Sequence, residues 1–181
     1  LSRAASDAGA NIGVLVDLNV GQGRCGMEPG EATLTLAGQA AQSKGITLRG
    51  VMGYEGHLHP IRDRAEREAR TRQAMHGLVA TARRIRDAGL PCDVVSAGGT
   101  GTYDVSGRID GITEIQAGSY ALMDTDYAGV GVPFRAAFWV LGTVVSRPAR
   151  ERCVADCGHK STTKDHGNPL VKGIPAATVT A

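Results

Sequence analysis

Hydrophobic residues fall in short runs separated by polar and glycine-rich stretches over the first two thirds of the chain. Aliphatic and β-branched runs predict strands over Ile12 to Val20, Leu48 to Tyr54, Asp93 to Ala97 and Ile112 to Ala117. The first run is nearly continuous, which is typical of a strand buried on both faces of a parallel sheet.

Helical periodicity fills the gaps between these strands. Pro29 begins a stretch in which Leu34, Ala37 and Ala41 share one side, and Gly45 ends it. A longer helix is predicted from Asp63 to Ala88, where apolar residues recur every three or four positions. Alternating strands and helices predict an α/β fold with a parallel sheet, whose ligands bind at the carboxyl ends of the strands.

The pattern changes after Phe134. Ala137 to Ser146 and Glu151 to Asp156 predict strands joined at Arg147-Pro148, without helical periodicity. We therefore expect two domains, a partial α/β domain over residues 1–130 and the start of a β-rich domain over residues 131–181, truncated at its end.

Composition narrows the class of protein. The 181 residues carry a net charge of +2 and few aromatic side chains, which argues against a nucleic-acid partner. No stretch approaches the ~20 apolar residues of a membrane span, and nothing before Ile12 resembles a secretion signal. Four cysteines in a chain of this length do not suggest a disulfide scaffold, so reduced thiols in a cytoplasm are expected.

The loop after the first predicted strand carries the pattern GxGxxG over residues 21 to 26. A dinucleotide site requires a helix that opens inside this motif, but Met27-Glu28-Pro29 delays it. We favour a ligand loop bearing Arg24, while a plain turn and a dinucleotide site remain alternatives.

Two further strand ends resemble an anion site. Ser96 to Thr102 combines glycines with hydroxyls, and Gly118-Ser119 follows the next predicted strand. Glycines allow backbone N–H groups to converge on an anion, and barrel phosphate sites use loops on successive strands. The pair predicts a phosphate site, although either loop alone could be a turn.

Histidines and cysteines offer weaker metal hypotheses. His57-Leu58-His59 lacks a carboxylate partner placed by the sequence, so we favour His57 as a residue that contacts a ring or handles a proton. Cys153, Cys157 and His159 lack a second matching pair, so a structural role is favoured over zinc binding.

An ordered set of motifs resembles the alanine-racemase-like, fold-type III pyridoxal-phosphate enzymes. The motifs are residues 16–26 (VDLNVGQGRCG), 53–57 (GYEGH), 96–103 (SAGGTGTY) and 114–120 (EIQAGSY), followed by 156–161 (DCGHKS) and 165–167 (DHG). The resemblance is strongest to the branch of D-threonine aldolase, 3-hydroxy-D-aspartate aldolase and D-serine dehydratase. It implies the C-terminal half of a (β/α)8 TIM barrel, followed by the start of a β-rich domain.

The resemblance also implies residue roles. Arg24 would bind the phenolic oxygen of the cofactor, and Tyr54 and His57 would lie near its pyridine ring. Gln116 would face the pyridine nitrogen, where alanine racemase has an arginine. Thr100, Gly118 and Ser119 would hold the phosphate. Ser96 and Gly99 would shape the glycine-rich loop that contributes to this site.

Two expected parts have no counterpart in the sequence. The Schiff-base lysine of the family follows the first barrel strand, and no lysine here ends a predicted strand. The His and Cys or Asp metal ligands near the family's C-terminus are also missing. We therefore expect a piece that lacks both ends of its enzyme and is inactive alone.

The resemblance implies an activity for the complete protein. It would be a homodimeric, metal-assisted (Zn²⁺ or Mn²⁺) aldolase that cleaves D-3-hydroxy amino acids to glycine and an aldehyde. The alternatives are a D-serine dehydratase and, less favoured, a non-catalytic pyridoxal-phosphate-binding protein, which would lack a β-rich domain.

Overall fold

A four-stranded parallel sheet forms the frame of the molecule, as the computed structural model describes it for residues 1–158, 160–165 and 167–180. The strands are β1 (Ile12–Asp17), β2 (Ile46–Met52), β3 (Val94–Ala97) and β4 (Glu114–Ile115). They lie side by side in chain order, and each pair is parallel. Neighbouring order is that of a barrel wall, whereas a doubly wound sheet reverses its strand order.

Helices connect the strands. They are α1 (Ser2–Asp7), α2 (Glu31–Gln42), α3 (Arg64–Asp87) and the short α4 (Tyr103–Ser106) and α5 (Thr125–Ala128). The α3 helix begins where predicted because the Asp63 carboxylate accepts a hydrogen bond of 2.7 Å from the Glu66 N–H. Within the described residues, no helix is long and apolar enough to cross a membrane.

The core lies between the sheet and the helices. The predicted apolar stripe of α3 is fully buried, and it packs with side chains from the three longer strands. The members of this core are Val16, Leu18, Ala37, Leu48, Val51, Met75, Leu78, Ala82, Ile85, Cys92, Val95 and Ala97. This packing fixes the carboxyl ends of the strands, where the candidate loops begin.

The first strand differs from the prediction of burial on both faces. Val16 and Leu18 are buried, but Ile12 is 38% exposed. The reason is that β1 is an edge strand, paired only with β2 in the described sheet.

The fourth strand is shorter than predicted. Only Glu114–Ile115 is regular, although the Gln116 N–H bonds the carbonyls of both Ala97 and Gly98. The cause is Gly98, whose φ of +82° turns the partner strand away after Ala97.

The last part of the chain forms an antiparallel pair, β5 (Val144–Ala149) and β6 (Arg152–Ala155). The predicted strand from Ala137 was wrong over residues 137–143, since its partner β6 is only four residues long. Arg147 and Pro148, expected between the strands, lie inside β5, where the pairing is irregular.

The chain divides into two compact units, residues 1–118 and 119–181. The second unit contains its own small cluster, in which Met123, Tyr127 and Val130 pack with Val132 and Phe134. The compact units divide earlier in the chain than the predicted domains, whose boundary at residues 130 and 131 stays a prediction.

Candidate functional site

The loop after β1 is held by one side chain. The Asn19 Oδ1 accepts hydrogen bonds from the N–H groups of Gly21 (3.1 Å) and Gly23 (3.0 Å). Its Nδ2 donates to Glu28 Oε1 at 2.6 Å. The following helix begins only at Glu31, so the helix start that a dinucleotide site needs inside the motif is missing.

Arg24, Tyr54 and Gly99 come together from three successive loops. The Arg24 guanidinium carbon lies 5.6 Å from the centroid of the Tyr54 ring, a cation–π arrangement. The same ring covers Gly99, where an added Cβ would lie 3.1 Å from the ring edge. Arg24 is exposed and Tyr54 is half-buried, so a cation and an aromatic face are presented at this edge.

His57 lies against the backbone of the first loop. A Cβ added to Gly21 would lie 3.1 Å from His57 Nε2. Partial burial lowers the pKa of the imidazole below its usual value, because it disfavours the charged form. The Glu55 carboxylate opposes this pKa shift and the Arg70 guanidinium adds to it. Near neutral pH His57 is therefore uncharged and able to accept a proton.

Ser96 and Gln116 form a second group of predicted residues. Gln116 Nε2 donates to Ser96 Oγ at 3.0 Å, and Ser96 Oγ donates to Glu114 Oε1 at 2.5 Å. Ser96 is only 1% exposed, while Gln116 is half-buried. Gln116 therefore has a fixed amide group at the end of β4.

The residues predicted to hold phosphate are placed unequally. Thr100 is 1% exposed, so its side chain is turned into the protein. Gly118 is exposed, with no heavy atom within 4 Å of an added Cβ. Ser119 begins the second compact unit, where its carbonyl accepts a 2.7 Å hydrogen bond from the Met123 N–H.

Glu55 lies within the motif of residues 53–57, but no role was predicted for it from the sequence. It follows Tyr54 directly, is 1% exposed and reaches across to the loop after β3. Its Oε2 accepts from the Gly98 N–H at 3.1 Å. Its Oε1 accepts from the hydroxyls of Thr102 at 2.7 Å and Ser106 at 2.8 Å. A carboxylate at the end of a buried strand was the available signal.

A cleft opens beside His57 in the first compact unit. Its volume is about 470 Å³, and its lining includes Gly21, His57, Arg70, Gln73 and Gly77. A cleft of this size admits a small polar molecule next to the exposed side of His57.

The metal hypotheses gain no geometric support. His59 Nδ1 is hydrogen-bonded to the Gly56 carbonyl oxygen at 2.7 Å. This local bond directs the ring nitrogen toward its own turn and not toward a metal site shared with His57. Across the described residues, no three His, Cys, Asp or Glu side chains are grouped to hold a metal ion. His159 and His166 lie outside the described residues.

The lysines do not reach the strand ends. Lys44 is exposed in the turn before β2, at the amino end of that strand. Lys160, Lys164 and Lys172 all follow β6. None of the four is at the carboxyl end of a strand of the parallel sheet.

Known proteins of similar sequence include an aldolase and a dehydratase. The chain is 40% identical to the D-threonine aldolase of an Arthrobacter species, over 100% of this chain and 49% of that protein. It is 30% identical to the D-threo-3-hydroxyaspartate dehydratase of Delftia sp. strain HT23, over 92% of this chain and 45% of that protein.

A solved structure has the same fold. The crystal structure of D-threonine aldolase from Filomicrobium marinum superposes with a TM-score of 0.93 at 39% identity, covering 97% of this chain and 48% of that one. The chain thus spans about half the length of the relatives it matches.

The family match covers the whole parallel sheet and the loops that carry the candidate residues. Residues 1–126 match the family model described as the N-terminal domain of alanine racemase. These residues include the four parallel strands and the four motifs within residues 16–120, while the motifs at residues 156–161 and 165–167 lie beyond the match. Fold, strand order and motif order agree, and the chain belongs to the alanine racemase N-terminal domain family.

Proposed function

We propose that the complete protein containing this chain is a pyridoxal-phosphate-dependent lyase that cleaves D-3-hydroxy amino acids into glycine and an aldehyde. The observation that carries the proposal is the 40% identity to a D-threonine aldolase along the entire chain. The proposal includes a divalent metal, Zn²⁺ or Mn²⁺, a homodimer, and a reducing cytoplasm, which suits four free cysteines.

The donor set fits the proposed cofactor. The exposed Arg24 offers a cation to an anionic ring oxygen, beside the Tyr54 face. At Gly99 an added Cβ would lie 3.1 Å from the Tyr54 ring, so a side chain there would have to push the ring aside. The open space beside Gly118 leaves its backbone accessible to a phosphate.

Each predicted residue then has a part in holding the group. Arg24 would bind the phenolic oxygen, and Tyr54 and His57 would lie beside the ring. Backbone and hydroxyl groups of Thr100, Gly118 and Ser119 hold the phosphate, with Ser96 and Gly99 shaping the loop.

The cofactor, when bound, supplies a ring that accepts the electron pair released at the substrate's α-carbon. Gln116 is uncharged and its amide is bonded to Ser96. If it faces the ring nitrogen, as the family resemblance implies, Gln116 would add no positive charge there. His57 is uncharged near neutral pH and lines the cleft, so it would take up the proton of the substrate hydroxyl.

Product analysis tests the proposal. The complete protein, supplied with pyridoxal phosphate and Mn²⁺ or Zn²⁺, is incubated with D-threonine, and glycine and acetaldehyde are quantified. We expect equal amounts of both products, and no turnover of L-threonine as the control. Absence of glycine from every D-3-hydroxy amino acid tested would remove the proposal.

A dehydratase is the second candidate, because a relative of that name is 30% identical over 92% of the chain. It would expel the β-hydroxyl after removing the α-proton, through the same loops. Incubation with D-serine distinguishes it, since pyruvate and ammonia are then formed instead of glycine.

A further inference from the structure

A buried carboxylate behind the glycine-rich loop has no part in the proposed chemistry. Glu55 is 1% exposed and lies at the end of β2, while its three hydrogen-bond donors lie in residues 98–106. Burying a carboxylate is unfavourable unless it is fully hydrogen-bonded. The position of this side chain therefore depends on the loop, and the loop depends on it.

The three donors divide between the turn and the helix that follow β3. The Gly98 N–H belongs to the turn at φ +82°, Thr102 ends the turn, and Ser106 lies in α4. Thr102 Oγ1 also accepts a 3.0 Å hydrogen bond from the Gly99 N–H. The carboxylate thus holds the Gly98 N–H directly and the Gly99 N–H through Thr102, which fixes the backbone at the start of the loop.

Glu55 therefore holds the loop at both of its ends, at Gly98 and at Thr102. A loop that binds an anion through backbone N–H groups needs these groups oriented before the ligand arrives. Bonds to a charged acceptor are stronger than those to a neutral one, so Glu55 supplies a firmer anchor than an amide would.

We infer that Glu55 is a positioning residue that sets the Gly98–Thr102 loop in its phosphate-binding conformation. The inference rests on the proposed function, because it assumes that the loop receives the phosphate of pyridoxal phosphate. It assigns to the hydrogen bonds of Glu55 an effect on the phosphate end of the ligand, whereas toward the ring end Glu55 acts only through its charge on His57.

Comparing the binding of pyridoxal phosphate with that of pyridoxal, which lacks the phosphate, distinguishes an effect on the phosphate from an effect on the ring. Both affinities are measured by absorbance titration on the complete protein and on its Glu55→Gln variant. We expect Glu55→Gln to weaken pyridoxal-phosphate binding about tenfold or more, and to change pyridoxal binding less than twofold. Glu68→Gln, which alters a half-buried carboxylate paired with Arg72 on α3, is the control and is expected to bind both as the parent does.

A second pair of variants decides the question if Glu55→Gln does not fold. Thr102→Val keeps the shape of the side chain but removes the hydroxyl, whereas Thr102→Ser keeps the hydroxyl. We expect Thr102→Val to weaken binding of pyridoxal phosphate several-fold relative to pyridoxal, and Thr102→Ser to bind both as the parent does.

Failure of the inference and failure of the proposed function give different results. Equal losses for both ligands, or no loss for either, in the variants that fold would overturn the inference and leave the proposed function standing. A parent protein that binds no pyridoxal phosphate would overturn the proposed function, and the inference with it.

Discussion

Burial and two charges of the first compact unit act on His57. Its ring packs on Gly21, and burial lowers its pKa, with Arg70 adding to the shift and Glu55 opposing it. A histidine with a lowered pKa stays neutral to a lower pH than a free one. At the residue scale, this environment suits the proton-accepting role proposed for His57.

The pH dependence of the complete protein should follow this residue. As pH falls from 7 to below the ordinary histidine value of about 6.5, His57 becomes protonated and kcat/KM for D-threonine should fall. His57→Gln should lower kcat about 100-fold and abolish that acidic limb. The measurement is the pH profile of acetaldehyde release.

His76→Gln is the matched control, since His76 is exposed on α3 and should leave the profile unchanged. An acidic limb that persists unaltered in His57→Gln would assign the proton acceptor to another group.

The second strand contains an irregularity that decides how the sheet is built. Its register with β1 shifts between Leu48 and Gly50, so Arg49 is an extra residue in β2. Gly50 has a φ of +149°, and an added Cβ would lie 1.9 Å from the Val94 carbonyl oxygen in β3. At the element scale, β2 and β3 can pair here only because position 50 has no side chain.

Gly50→Ala should therefore destabilise the complete protein by about 3 kcal/mol or more, since both the backbone conformation and the strand contact are lost. Circular dichroism during thermal unfolding measures the effect as a lower Tm. Gly38→Ala is the matched control: its added methyl meets no atom within 4 Å inside α2, so up to about 1 kcal/mol of stabilisation is expected. Equal Tm values for the two variants would refute the close contact.

At the scale of the whole molecule, the described sheet has two open edges. Both β1 and β4 pair on one side only. Large apolar side chains of the second unit are also exposed, among them Phe138 at 64%, Trp139 at 51% and Leu141 at 95%. Open strand edges and exposed apolar surface favour association with other chains.

The 181-residue chain expressed alone should accordingly bind hydrophobic dyes, associate in light-scattering measurements and show no aldolase turnover. The absence of turnover follows from its lysines, none of which ends a strand of the parallel sheet. The complete protein is the control for both measurements. Even slow acetaldehyde production by the isolated chain would contradict this expectation.

Much of the fold was determined by local pattern. The periodicity of α3, with Asp63 as its cap, placed that helix to within one residue at each end. The α/β class followed from the alternation of strands and helices, and the structure confirms it. The ends of the strands were harder to predict from the sequence. The length of β4 depends on Gly98, which turns the chain away after β3, and the length of β5 depends on the short β6 with which it pairs.

The sequence by itself determined which loops carry glycines, hydroxyls and Arg24, because those depend only on residue type and on position after a strand. Only the tertiary structure decided which of these residues meet: Arg24 with Tyr54, Tyr54 with Gly99, and Ser96 with Gln116. It also revealed the buried Glu55 behind the loop. Hydrogen bonds that join residues 43 to 51 positions apart depend on how neighbouring strands align, and no local pattern encodes that alignment.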